Sequence, residues 1–172
     1  PYYILGHSMG SFLTRYFLIK YGKEVDGAII MGTGYHPVSV AVFGRCLTKA
    51  LAAVKGWRYR SVFVNKMDLA GADRQLRLHE LRQRFGAGCV DIDWLSRDEA
   101  TVDAYIAEPR CQFVFTLNGY HEMFKGLAFI AKKSNLRKMP KKLPVLFISG
   151  GDDPVGGKGQ GVQKVYDLFV LA

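Results

Sequence analysis

An apolar run, Tyr2-Tyr3-Ile4-Leu5, passes straight into Gly6-His7-Ser8-Met9-Gly10 and from there into a helical pattern. Phe12, Tyr16 and Ile19, with Leu13 and Phe17 beside them, recur at helical spacing. They predict a helix over 11–21 with a buried apolar band. Gly22 is read as its C-cap. Val25 to Met31 follows as a short buried strand closed by Gly32-Thr33-Gly34. Strand, sharp turn, helix and strand in so short a span make one parallel crossover unit.

At Tyr35-His36-Pro37 the rhythm changes to a long helical, basic and aromatic stretch. Val38–Val54 and Ala72–Phe85 read as helices. Ser96-Arg97-Asp98-Glu99 has the form of a capping box opening a helix through Val102 and Tyr105 to Ala107, stopped by Pro109. Asn118 is placed as the cap of a further helix running to Ile130, and Lys132–Lys142 as a basic linker. Leu143–Ser149 restores the buried-strand signature and ends in Gly150-Gly151-Asp152-Asp153-Pro154. A last helix covers 162–171. The expected organisation is α/β: a sheet unit at 1–35, a helical insertion at 36–142, and the sheet resumed at 143–172.

Composition narrows the class. The chain has 172 residues, 49% hydrophobic and 23% charged, which suits a globular core. Residues 36–142 carry 19 Lys and Arg against 10 Asp and Glu, so the whole net charge of +9 sits there. That surplus suits contact with anionic lipid surfaces or acidic substrates, and a solvated helical exterior accounts for it equally. Cys46, Cys89 and Cys111 are odd in number and lack C-x-x-C spacing, so buried thiols in a reducing cytoplasm are expected. The chain opens on Pro1 with a core strand almost at once and no basic n-region. We expect it to start partway through a domain.

The first turn carries the chemistry. A serine between a parallel strand and the helix after it stands clear of the sheet, and flanking glycines relieve crowding at so tight a bend. Ser8 is therefore the expected nucleophile, and the Met9 backbone N–H, at the helix N-terminus, an oxyanion donor. A serine hydroxyl needs a base, and the base an acid that fixes its tautomer. In this arrangement the order is serine, acid, histidine. Asp153 fits the acid, on the loop after a later strand, with Asp152 its rival. None of His7, His36, His79 and His121 follows it. The catalytic histidine and the second oxyanion donor are thus expected outside these residues, leaving this stretch inert by itself.

Other constellations rank lower. Asp91, Asp93, Asp98 and Glu99 do not match a calcium loop. Arg74, Arg77, Arg82 and Arg84 come without a nucleic-acid reader motif, so a solvated basic face is the reading and no nucleic-acid partner is expected. No metal or organic cofactor is called for.

Four segments carry a family likeness: Ile4–Ser11, Met31-Gly32-Thr33-Gly34, Asp93–Asp98 and Pro144–Val155. Together they resemble bacterial α/β-hydrolases of the monoacylglycerol lipase and lysophospholipase type, often grouped with serine aminopeptidases. The resemblance spans essentially the whole chain. It implies a partial α/β-hydrolase fold with 36–142 as a cap over the site, Ser8 as nucleophile and Asp153 as acid. The implied reaction is hydrolysis of a monoacylglycerol or lysophospholipid ester through an acyl-enzyme, with Phe43, Trp57, Phe63, Phe115 and Phe124 available to line an acyl pocket. The family's histidine and its upstream His-Gly oxyanion motif have no counterpart here, which implies truncation at both ends. A peptidase or thioesterase on the same scaffold, or a non-catalytic relative, is the alternative.

Overall fold

In the computed structural model, residues 1–66, 96, 98–111 and 113–172 are described. Three parallel strands form one sheet in the order β1 (Tyr3–His7), β2 (Gly27–Met31), β3 (Val145–Ile148). Tyr3 pairs with Gly27 and Ala28 with Val145, so all three strands point the same way and end at one edge. Side chains alternate across a strand. Ile4, Ala28, Ile30, Val145 and Phe147 pack with Leu18 and Val25 into one core. Tyr3, Leu5, Leu146 and Ile148 are exposed on the other face.

Helix α1 (Met9–Tyr21) begins immediately after Ser8. Its buried face is not the apolar band expected from periodicity. Ser11, Thr14, Arg15, Leu18 and Ile19 are buried, whereas Leu13 is 63% exposed and Tyr16 is also exposed. The reason is proximity: a helix leaving a sharp turn lies close on the sheet, and small Ser11 and Thr14 allow that approach where large side chains do not. Gly22 is the C-cap, as expected. It has φ −60°, its N–H donates to the Leu18 carbonyl, and it opens a 3₁₀ turn (Gly22–Glu24). A side chain there would strike Pro140 Cδ, 2.8 Å from the Cβ position.

Among the described residues the intervening helices are α2 (Val38–Lys55), α3 (Val62–Lys66), α4 (Glu99–Ala107), α5 (Leu117–Ile130) and α6 (Lys133–Leu136), and α7 (Gln160–Val170) follows β3. Ala41, Gly44, Thr48 and Ala52 form the buried stripe of α2. Small residues let α5 come close: the Phe124 ring lies 2.7 Å from the Cβ position of Gly44. Ile19 of α1 shares a core with Leu117, Tyr120, Phe124 and Leu127 of α5, tying these helices to the sheet unit.

Two caps differ from the sequence reading. Asp98, not Ser96, is the N-cap of α4, its carboxylate accepting from the Ala100 N–H and, at 2.6 Å, from the Thr101 hydroxyl. Ser96 instead accepts the Asp98 N–H at 3.1 Å. Thr116, not Asn118, caps α5, its hydroxyl oxygen accepting the Gly119 N–H at 3.2 Å. In each case a stronger or better-phased cap sits two residues from the expected one. The expected helix at 72–85, with Arg74, Arg77, Arg82 and Arg84, and His79, Cys89, Asp91 and Asp93 lie outside the described residues. The segment read as a linker contains α6.

Candidate active site

Ser8 occupies the junction of β1 and α1 with φ 52° and ψ −121°, a conformation costly for a residue with a side chain, of order 1–3 kcal/mol. Its surroundings hold it there. The Ser8 N–H donates to the Met31 carbonyl of β2 at 3.0 Å. Its carbonyl accepts from both the Ser11 N–H at 2.9 Å and the Ser11 hydroxyl at 2.5 Å. Gly6 allows the return of the chain, since a Cβ there would drive into Thr14 Oγ1 and the Gly10 carbonyl. Gly10 plays no such part: the space at its Cβ position is open to 4 Å. Ser8 is half-buried. Met9 begins the helix, where backbone donors lack acceptors within the helix and the dipole favours negative charge.

Asp153 stands on the loop after β3, at the same sheet edge as Ser8. Its carboxylate accepts the Val155 N–H at 2.8 Å and the Ser149 hydroxyl at 3.3 Å. The loop is closed by Asp153 N–H to the Gly150 carbonyl at 3.2 Å and Lys158 N–H to the Asp153 carbonyl at 2.9 Å. Asp152 is exposed. Gly32, at the end of β2, marks the centre of the arrangement. With φ 58°, its Cβ position lies 3.4 Å from Asp153 Oδ2 and 3.5 Å from the His7 ring. The elbow and the acid loop therefore meet over the exit of the strand between them.

A buried cation, missed by the sequence reading, underlies this edge. Arg15 is 2% exposed, and its Nη1 donates to the Gly34 carbonyl at 2.9 Å and to Thr33 Oγ1 at 3.3 Å. Its Nε has no acceptor among the described residues. Desolvation lowers its pKa to about 10. The 32–35 segment it grips backs the acid loop: Gly34 lies against the Val155 carbonyl, and the Gly156 Cβ position is 3.1 Å from the Thr33 carbonyl. The available signal was an arginine one residue before Tyr16 in a band assumed to be wholly apolar.

The described histidines divide by environment. His7 is exposed and faces Asp153 across Gly32. His36 lies edge-on to Phe12 at 5.5 Å, and burial, with a smaller repulsion from Arg15, lowers its pKa to about 4. His121, on α5, lies 3.3 Å from Thr48 Oγ1 and 3.2 Å from the Arg45 carbonyl. Of the aromatics expected to line an acyl pocket, Phe124 is core, Phe115 packs against it, and Phe43, Trp57 and Phe63 are exposed. A groove of about 380 Å³ lined by Met139, Leu143, Phe147, Tyr166 and Phe169 involves neither Ser8 nor Asp153.

Known proteins share this frame. The chain superposes on a highly thermostable carboxyl esterase from Bacillus coagulans, solved in complex with glycerol, with a TM-score of 0.82 and 23% identity over 99% of this chain and 53% of that one. A lipase in its open form matches with a TM-score of 0.70 and 18% identity, over 98% and 52% of the respective chains. The chain thus spans about half the length of these neighbours. Residues 1–169 match the family described as serine aminopeptidase, S33. With a parallel sheet, a serine on the strand-to-helix turn and this match over nearly its whole length, the chain belongs to the serine aminopeptidase S33 family of α/β-hydrolases.

Proposed function

We propose that the protein is a serine hydrolase of carboxylic esters, acting on single-chain lipids such as a monoacylglycerol or lysophospholipid. The observation that carries this reading is the meeting of the Ser8 turn and the Asp153 loop over Gly32. Ser8 Oγ attacks the ester carbonyl carbon while its proton passes to a histidine that we assign to sequence outside these 172 residues. The oxyanion takes the Met9 N–H and the field of the α1 N-terminus. Collapse breaks the C–O bond, the alcohol leaves with the proton held by the histidine, and water then releases the acyl group by the same route. Asp153 orients the histidine. Residues 36–142 act as the cap that selects the acyl chain, in a cytoplasmic setting compatible with the free thiols of Cys46 and Cys111.

The esterase and lipase among the structural neighbours support ester chemistry, and the family description keeps a peptidase as the second reading. The test uses the protein expressed with its native flanking sequence. A fluorophosphonate probe should label it, and Ser8→Ala should abolish the labelling. Monoacylglycerol and lysophospholipid panels of varied acyl length should then be cleaved faster than aminoacyl amides or thioesters. Labelling that survives Ser8→Ala overturns the nucleophile, and preferential amide cleavage replaces esterase by peptidase.

A further inference from the structure

Arg15 is an unfavourable residue to bury where it stands. Its guanidinium is 2% exposed, and no carboxylate pairs with it among the described residues. A buried charge without a counter-charge opposes folding, and apolar replacements of buried charges are often neutral or stabilising. Stability alone therefore does not account for an arginine here. Its Nη1 instead reaches two oxygens of one short segment, the Gly34 carbonyl at 2.9 Å and Thr33 Oγ1 at 3.3 Å.

That segment presses on the groups that hold Asp153. Gly34 lies against the Val155 carbonyl, and the N–H of the same Val155 donates to Asp153 Oδ1 at 2.8 Å. The Gly156 Cβ position lies 3.1 Å from the Thr33 carbonyl and 3.4 Å from Ser149 Oγ. The Ser149 hydroxyl in turn donates to Asp153 Oδ2 at 3.3 Å. Val155 and Ser149, the donors to this carboxylate among the described residues, thus flank the pair that Arg15 grips. At its other end Arg15 belongs to α1, the helix that starts directly after Ser8. One side chain ties the helix of the nucleophile to the backing of the acid.

Within the serine hydrolase reading, on which this rests, we propose that Arg15 is a positioning residue that fixes the Asp153 carboxylate relative to Ser8. A histidine has to meet both groups at once, so their separation is what the reaction needs held. Without the tie, residues 33–34 draw back from Val155, Asp153 turns on its loop, and the histidine loses its orientation. Arg15 itself touches neither substrate nor reacting atoms.

The test compares the protein carrying its native flanking sequence with Arg15→Met, which keeps a long unbranched side chain and removes the donors. The readout is the rate of fluorophosphonate labelling at Ser8, which depends on the triad whatever the substrate. Arg15→Met should keep its thermal transition and label about 10–100-fold more slowly. Arg15→Lys, which restores a donor, should recover to within about fivefold of the parent. In an Asp153→Asn background Arg15→Met should slow labelling by less than about twofold, because groups acting as one unit do not add. Amide exchange at Val155 should quicken about tenfold in Arg15→Met. Gly34→Ala, which presses a methyl on the Val155 carbonyl with Arg15 intact, is the second variant and should slow labelling by a similar factor. A folded Arg15→Met that labels at the parent rate overturns the proposal. So does unchanged exchange at Val155, or a loss of full size in the Asp153→Asn background. A parent protein that never labels overturns the hydrolase reading first, and this tie with it.

Discussion

The Ser8 N–H and the Met31 carbonyl are joined by a 3.0 Å hydrogen bond that carries the β1–β2 pairing one residue beyond the strand, into the turn. The serine is thereby positioned by its neighbour strand as well as by its own. Any change that loosens the end of β2 loosens Ser8 with it.

The two glycines of the turn should respond in opposite ways. Gly6→Ala forces a methyl into Thr14 and the Gly10 backbone, and should cost roughly 1–3 kcal/mol or more. Gly10→Ala meets nothing within 4 Å and sits within α1, so it should leave stability unchanged or raise it by up to about 1 kcal/mol. Urea unfolding of the pair decides the point. Equal destabilisation of both would refute the asymmetry.

Asp153→Asn should lower kcat for ester cleavage by about 10³–10⁴-fold with little change in KM, as expected when the orienting acid of such a triad is removed. Asp152→Asn should change kcat far less. Steady-state kinetics on the active protein distinguishes the two carboxylates, and the reverse ranking would transfer the acid to Asp152.

Helix capping gives a further contrast. Thr116→Ala removes the side-chain acceptor of the Gly119 N–H and should cost about 1 kcal/mol. Asn118→Ala, on an exposed position already inside α5, should be neutral or slightly stabilising. Thermal unfolding checks both.

His36 sets a pH dependence. Its folded pKa, about 4, lies below the ordinary value of 6.5, so the unfolded chain binds the extra proton. Its contribution is complete above about pH 6.5 and is lost as pH falls toward 4, amounting to roughly 3 kcal/mol at most. His36→Phe should flatten the stability profile across that window. Arg15→Met removes the smaller cause and should move the His36 pKa upward, read by NMR titration.

Both outer strands, β1 and β3, have an unpaired edge among the described residues, and Tyr3, Leu5, Leu146 and Ile148 expose an apolar sheet face. Expressed as these 172 residues, the chain should aggregate, and Ile148→Lys should raise its soluble fraction. A soluble monomer with a sharp thermal transition would contradict this.

What the residues disclosed in advance follows physical lines. The β1-turn-α1 unit, the β3 strand and the Ser8 and Asp153 placements were legible because backbone turns and buried strands leave local signatures. The buried face of α1 was not. Periodicity counts hydrophobicity, whereas the sheet selected small side chains at Ser11 and Thr14 and a long cation at Arg15. Arg15 reaches the Gly34 carbonyl, 19 positions away in sequence, a tertiary bond that no window of neighbouring residues reveals. The caps at Thr116 and Asp98 were missed by two residues, because several polar residues precede each helix and only the chain path chooses among them.

Strands β2 and β3 are hydrogen-bonded neighbours, although residues 32–144 separate them along the chain. The sheet edge that carries Ser8 and Asp153 is accordingly completed only when the end of the chain returns to β2. The intervening stretch is no passive spacer, since its Thr33 and Gly34 hold Arg15 and its α5 shares a core with Ile19 of α1. Any graft there has to keep Gly34 and the inner face of α5, or α1 loses two of its anchors.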